Sequence, residues 1–278
     1  MDNKNILVTA ATGNIGAPLV HALGKKQMEF KAATRDAQKA KKQLGSHVDT
    51  VHLDFADPQT FKPALEGIET LFLCGPSATP GAEDMLVPLA EEAIRQDVKH
   101  VVFIAVYQKI MNIIKNSDLK YTFIRANFFM QNFEMYQTED IRDKNQIFLP
   151  TGEGKAPFIH TRDIGEVAAE IIANPGNFEN KQVYLTGPEA MDHFEASKIF
   201  SDVLGRKIEY KNPDDDTYRK EMLNRGFKKE YIDAMIAVFG KIKSGEVAQT
   251  SDSVGQILNR KPISLRQYVE EKKVHFTG

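Results

Sequence analysis

Residues 6 to 16, ILVTAATGNIG, constrain this chain more than any other stretch. Ile6, Leu7 and Val8 read as a short buried strand. The turn Thr9-Ala10-Ala11-Thr12-Gly13 follows, and Asn14-Ile15-Gly16-Ala17-Pro18-Leu19-Val20 opens a helix. A strand that runs through a glycine turn into a helix gathers backbone N–H groups at one point, as a Rossmann unit does for a pyrophosphate. The pattern G-x-x-G-x-x-G would place glycine at positions 10, 13 and 16, and position 10 is alanine. Its methyl group disfavours a positive φ. The turn is therefore expected to use a negative φ at Ala10, or to hold the phosphate slightly further out. Thr9, Ala10, Thr12, Gly13, Asn14, Ile15 and Gly16 are the candidate cofactor-holding residues here.

Strands and helices alternate beyond this point. Phe30 to Thr34, Val48 to Leu53, Thr70 to Cys74 and His100 to Val106 read as strands. Gln38 to Leu44, a segment opened by Asp57-Pro58, and Glu83 to Gln96 read as the intervening helices. Apolar runs of this kind suit parallel strands buried on both faces. The expected fold is α/β, a doubly wound Rossmann sheet with right-handed crossovers. A helix to about Asn116, a strand at Lys120 to Arg125, a helix from Thr161 to about Ala173 and a strand at Gln182 to Gly187 extend it. Residues 1–130, with 161–187, are expected to form the nucleotide-binding domain. Residues 131–160 and 188–278 are expected to form a smaller, mainly helical substrate lobe over the carboxyl ends of the strands.

The end of the second strand discriminates between cofactors. An acidic residue there usually holds the ribose 2′-OH of NAD. The sequence gives Thr34-Arg35-Asp36. Arg35 can make a bidentate contact to a 2′-phosphate and stack on adenine, with Lys39, Lys41 and Lys42 adding positive charge. The competing reading makes Arg35 a solvated loop residue and gives the ribose to Asp36. NADP(H) is the expected cofactor, ahead of NAD. Asp54 and Phe55, after the third strand, could border the adenine, or could be a capping residue and a core residue. Gly75, Pro76 and Ser77 close the fourth strand, where small residues allow a backbone to approach a ligand.

Proton donors are sparse. A tyrosine with a lysine four residues later would lower the phenol pKa. Tyr107 follows the fifth strand, but position 111 is Met111, and Lys109 falls on another helical face. Tyr107 is the best candidate donor and Lys109 the second. His160 and His193 are isolated and read as structural. No spacing of histidine and cysteine suggests a metal. The only cysteine, Cys74, reads as an inert core thiol and excludes an internal disulfide. A net charge of -2 gives no electrostatic case for nucleic acid or an anionic membrane. No stretch has the length of a membrane span and no signal peptide fits the start, so a cytoplasmic location is expected.

Taken together, Val8 to Gly16, Ala33 to Asp36, Leu53 to Pro58, the segment YTFIRANFFMQN from Tyr121 to Asn132, and Ser251 to Leu265 resemble the NmrA-like family of atypical short-chain dehydrogenases. Within it the pattern is most similar to bacterial NAD(P)H:quinone and triphenylmethane reductases. The resemblance implies NADP(H), with Arg35 on the 2′-phosphate and Asn127 among the cofactor-binding residues. It also implies either hydride transfer to a quinone, dye or similar small acceptor, or a redox-sensing role through a protein partner with no turnover. Two departures stand out. Ala10 replaces the first glycine, and the segment after Val106 is shorter than in most relatives by roughly a dozen residues. An NADP(H)-dependent reductase of a small conjugated acceptor is expected, with Phe128 and Phe129 helping to shape an apolar pocket. The catalytically silent sensor is the alternative. A second copy of the chain and a regulatory protein are left open as partners.

Overall fold

The computed structural model describes residues 5–75 and 81–277. The elements begin β1 (Ile6–Val8), α1 (Gly16–Lys25), β2 (Phe30–Thr34), α2 (Ala37–Leu44), β3 (Thr50–His52), α3 (Phe61–Leu65) and β4 (Thr70–Leu73). They continue with α4 (Ala82–Arg95), β5 (His100–Ile104), α5 (Gln108–Lys115), β6 (Lys120–Ala126), α6 (Gln131–Tyr136), α7 (Thr138–Lys144) and β7 (Gln146–Phe148). The remainder is α8 (Thr161–Ala173), β8 (Lys181–Leu185), α9 (His193–Leu204), β9 (Glu209–Lys211), α10 (Asp215–Asn224), α11 (Lys229–Lys243), α12 (Ser253–Leu258), α13 (Leu265–Glu271) and α14 (Lys273–Phe276).

The described residues form a seven-stranded sheet in the order β3-β2-β1-β4-β5-β6-β8. The pairings β1–β2, β1–β4, β2–β3, β4–β5 and β5–β6 are all parallel. This is the expected doubly wound Rossmann architecture. Strands β1, β4 and β5 are buried along their whole length, as strands covered on both faces must be. The strand order reverses between β1 and β4. Ligands of open α/β sheets sit at that reversal, outside the carboxyl ends of the strands. The residue that follows β1 is Thr9.

The chain divides into two compact units. One takes the chain up to Ala126 together with Thr161–Tyr184. Its core under the sheet includes Leu7, Leu71, Phe103 and Phe123, and the last two rings meet edge to face at 6.1 Å. In this unit α1 packs on α8. A Cβ on Gly165 would lie 2.7 Å from the Leu19 nitrogen, so the glycine sets that close approach.

The other unit takes Asn127–His160 and the chain from Leu185 onward. It is mainly helical, as expected, and is built on Phe133, Phe158, Phe200 and Tyr268. One element escaped the sequence reading: β9 pairs in parallel with β7, placing Ile147 opposite Tyr210. The apolar run from Ile147 reads as a strand in the sequence, but β9 has only three residues, too few for a periodicity to register, and lies far from β7 along the chain. Helix α9 starts with a full capping box of Asp192 and Glu195. His193 is buried, bonds Thr151 Oγ1 through Nδ1 at 2.8 Å, and is held neutral by burial with a pKa near 4. The structural reading of His193 agrees with this packing. Asp140, 1% exposed, is gripped by both terminal nitrogens of Arg225 at 2.6 and 3.0 Å.

Candidate cofactor site

The turn after β1 is fixed from within. Thr9 is fully buried. Its hydroxyl donates towards the carbonyls of Phe72 (2.9 Å) and Cys74 (3.0 Å) and accepts the Cys74 N–H at 2.8 Å. The Thr9 side chain is therefore committed to the end of β4, and only its backbone faces the turn. Ala10 follows with φ +48°, the left-handed region. This corrects the expectation of a negative φ. The cause is closure of the turn: with Ala10 left-handed, its carbonyl accepts the Gly13 N–H at 2.8 Å. A left-handed alanine costs roughly 1–2 kcal/mol, and the packing around it outweighs that cost.

The two glycines then have different tasks. Gly13 is exposed, and a Cβ there would meet the Ala10 oxygen at a tight 3.1 Å. Gly16 is buried, and a Cβ there would lie 2.1 Å from the same oxygen, which no real contact allows. Helix α1 begins at Gly16 after Ile15, with no side chain capping its first N–H groups. The Ala17 N–H donates to the Gly13 carbonyl at 3.0 Å, and the positive end of the helix dipole at this terminus favours an anion.

At the end of β2 the competing residues divide their work. Asp36 caps α2, its carboxylate accepting the Lys39 N–H at 3.0 Å. Arg35 is exposed and has no hydrogen bond or ion pair among the described residues. Thr34 braces the bend: its hydroxyl bonds both the N–H and the carbonyl of Asp36 at 3.1 Å. Lys39, Lys41 and Lys42 are exposed on α2. One residue missed in the sequence lies on the same helix. Gln43 donates from Nε2 to the Thr12 carbonyl at 2.8 Å, across 31 residues, a separation at which no local pattern signals a contact.

The remaining candidates fare unevenly. Asp54 accepts the Ala56 N–H at 3.0 Å, a local turn, while Asp57 caps the short 3-10 segment Pro58–Thr60. Phe55 packs half-buried against the sheet core. Gly75 sits under Leu86, and a Cβ would approach its Cδ1 to 2.5 Å. Pro76 and Ser77 lie outside the described residues. Cys74 lies just past β4, and burial pushes its thiol up to about 12, which makes it inert as a nucleophile. Asn127 belongs to the other unit, where its amide nitrogen donates to the Val247 carbonyl at 3.0 Å and its oxygen accepts the Phe128 N–H at 2.8 Å.

Strand β5 ends at Ile104, and Ala105-Val106-Tyr107 alone connect it to α5. Val106 is 67% exposed. Tyr107 stands at the start of α5, half-buried against the sheet core. Desolvation raises its phenol pKa, and the Glu83 carboxylate raises it further, so it is a weaker acid than free tyrosine. Lys109 pairs with Asp84 at 3.5 Å, and its backbone N–H donates to Glu83 Oε1 at 3.2 Å. Glu83 thus caps α5 from a neighbouring helix, a role invisible in the local sequence.

The chain belongs to the NmrA-like family: the family model matches residues 105–269, and an NAD(P)H-binding model matches residues 10–108. The class is that of NAD(P)H-binding oxidoreductases of NmrA-like type. The NAD(P)H azoreductase of Xenophilus azovorans is 31% identical over 97% of each chain. Among solved structures, an NADPH-dependent quinone oxidoreductase of Escherichia coli in complex with NADPH superposes with a TM-score of 0.87 at 18% identity, over 96% of this chain and 99% of that one. The triphenylmethane reductase of a Citrobacter species, complexed with NADP(H), gives 0.83 at 22% identity, over 96% and 99%. At these identities the two structures establish a shared fold. Among the described residues no helix is long and apolar enough to cross a membrane.

Proposed function

We propose that this protein is an NADPH-dependent reductase of a small conjugated acceptor, a quinone or an azo dye. The observation that carries the reading is the division of labour after β2: Asp36 is used as a helix cap while Arg35 stands exposed and, among the described residues, unpaired. A guanidinium kept free beside a lysine-bearing helix suits a 2′-phosphate, and a carboxylate engaged in capping is a poor ribose ligand. The start of α1, which no side chain of its N-cap residue caps and where Gly13 is exposed, suits a pyrophosphate at the positive end of the helix dipole. The residues present fit the dinucleotide, which when bound would supply the hydride. Arg35 would hold the 2′-phosphate, and the Gly13-to-Gly16 backbone the pyrophosphate. Named relatives that act on azo compounds and quinones support the acceptor class.

Tyr107 is the proposed proton donor, and its raised pKa makes it a slow one. A quinone needs little acid assistance once it has received hydride, so this is compatible with turnover. The test is NADPH oxidation against a panel of quinones and azo dyes. Protein that binds NADPH but gives no rate above the enzyme-free reaction with any of them overturns the reading.

One observation favours a second reading. The three-residue link from β5 to α5 leaves little chain to build an active-site wall and exposes Val106. A sensor of cofactor redox state would show markedly different affinities for NADPH and NADP+ and would retain a protein partner. Equal affinities and no partner exclude it.

A further inference from the structure

We infer that Gln43 is a positioning residue that sets the spacing between the 2′-phosphate element and the pyrophosphate turn. The inference rests on the NADPH reading given above. Gln43 lies in the last turn of α2, the helix that begins two residues after Arg35. Its side-chain N–H reaches the backbone carbonyl of Thr12 at 2.8 Å, and Thr12 immediately precedes Gly13. The helix is itself rigidly seated. Asp36 caps its start, Ala40 and Leu44 are buried beneath it, and the Gly45 N–H closes its end on Lys41. A bond from such a helix to the turn fixes one phosphate-recognising element against the other.

The bond joins parts that the chain alone does not align. Thr12 and Gln43 are 31 residues apart, and between them run α1, β2 and the Arg35 bend. The donor is neutral, so it adds no charge to either subsite. Its effect is geometric: it holds the Thr12 carbonyl towards α2, and so fixes the peptide that leads into Gly13. A ligand that touches only one element is indifferent to their spacing. A ligand that spans both gains from having it preset, because the ordering cost is removed from the binding step.

Binding measurements with three ligands test this. NADPH spans both elements, NADH lacks the 2′-phosphate, and adenosine 2′-phosphate lacks the pyrophosphate. Gln43 is exposed on a helix, so Gln43→Met, which keeps length but removes the donor, is expected to fold with little change in Tm. Gln43→Ala serves as the second variant. Fluorescence and calorimetric titrations should show NADPH weakened about tenfold, with NADH and adenosine 2′-phosphate within twofold of wild type. Combining Gln43→Met with Arg35→Ala should cost less than the product of the two single effects on NADPH. Unchanged NADPH binding, equal weakening of all three ligands, or strictly multiplicative effects overturn the inference while leaving the NADPH reading in place. Wild-type protein that binds NADPH and NADH alike, with no effect of Arg35→Ala, overturns that reading and this inference together.

Discussion

The carbonyl oxygen of Ala10 occupies the space in which a side chain at Gly16 would begin: a Cβ there would lie 2.1 Å from it. The same oxygen accepts the Gly13 N–H at 2.8 Å. One carbonyl therefore both closes the turn and fixes how near α1 can start. Gly16→Ala is expected to force the turn open. It should cost about 1–3 kcal/mol of stability, as overpacking does, and lower NADPH affinity at least tenfold. Urea unfolding with a parallel NADPH titration measures both, and unchanged affinity would show that the turn does not hold the dinucleotide.

Ala10 itself yields a paired prediction. Glycine would relieve the left-handed backbone, at roughly 1 kcal/mol, but would free the unfolded chain by a similar amount. Ala10→Gly should therefore change stability by less than about 1 kcal/mol and keep NADPH affinity within threefold. A β-branched residue at φ +48° is a true outlier. Ala10→Val should lose about 2 kcal/mol, read by thermal or chemical denaturation.

In the helical unit, Arg225 holds a carboxylate whose pKa burial alone would raise. Burial pushes Asp140 up, but the Arg225 and Gln146 hydrogen bonds outweigh it and hold the carboxyl below the usual range. Arg225→Met strands that charge and should cost about 3–5 kcal/mol. Adding Asp140→Leu should recover a large part of the loss. A double variant no more stable than the single one would refute this account of the pair.

His193 predicts acid sensitivity. Its folded pKa, about 4, lies below the ordinary value of 6.5. Between those values the unfolded chain binds a proton that the folded one does not, so stability falls as pH falls through that window. From pH 7 to pH 5 the loss from this group should be roughly 2 kcal/mol. His193→Gln, compared with wild type by urea denaturation at the two pH values, should show a shallower decline.

Tyr107→Phe separates the acceptors. A quinone that has taken hydride leaves a stabilised oxyanion, whereas a reduced azo nitrogen is strongly basic and needs a proton. The variant should keep quinone turnover within about threefold and lower azo turnover about tenfold or more, within the range of general acid catalysis. Equal effects on both would remove Tyr107 from the proton path.

Much of the sheet was readable because its strands are apolar runs separated by well-marked starts, such as Asp57-Pro58. The sites of β1 to β6 and the helices between them follow from that punctuation. What escaped depends on contacts distant in sequence. The left-handed Ala10 contradicts its own propensity because Gly13 and Gly16 close around its carbonyl. The Gln43–Thr12 and Glu83–Lys109 bonds span 31 and 26 residues. Asn127, singled out by its motif, places its side chain on Val247, and Thr9 places its hydroxyl on β4.

That use of Thr9 has a consequence for time rather than for place. A hydroxyl tied to Phe72 and Cys74 couples the mouths of β1 and β4, so the shelf beneath the turn is rigid before any ligand arrives. Arrival should need no slow rearrangement there. Encounter would be a single fast phase, with the lifetime of the complex set by departure. Hydrogen exchange at the Cys74 amide should be slow with or without nucleotide.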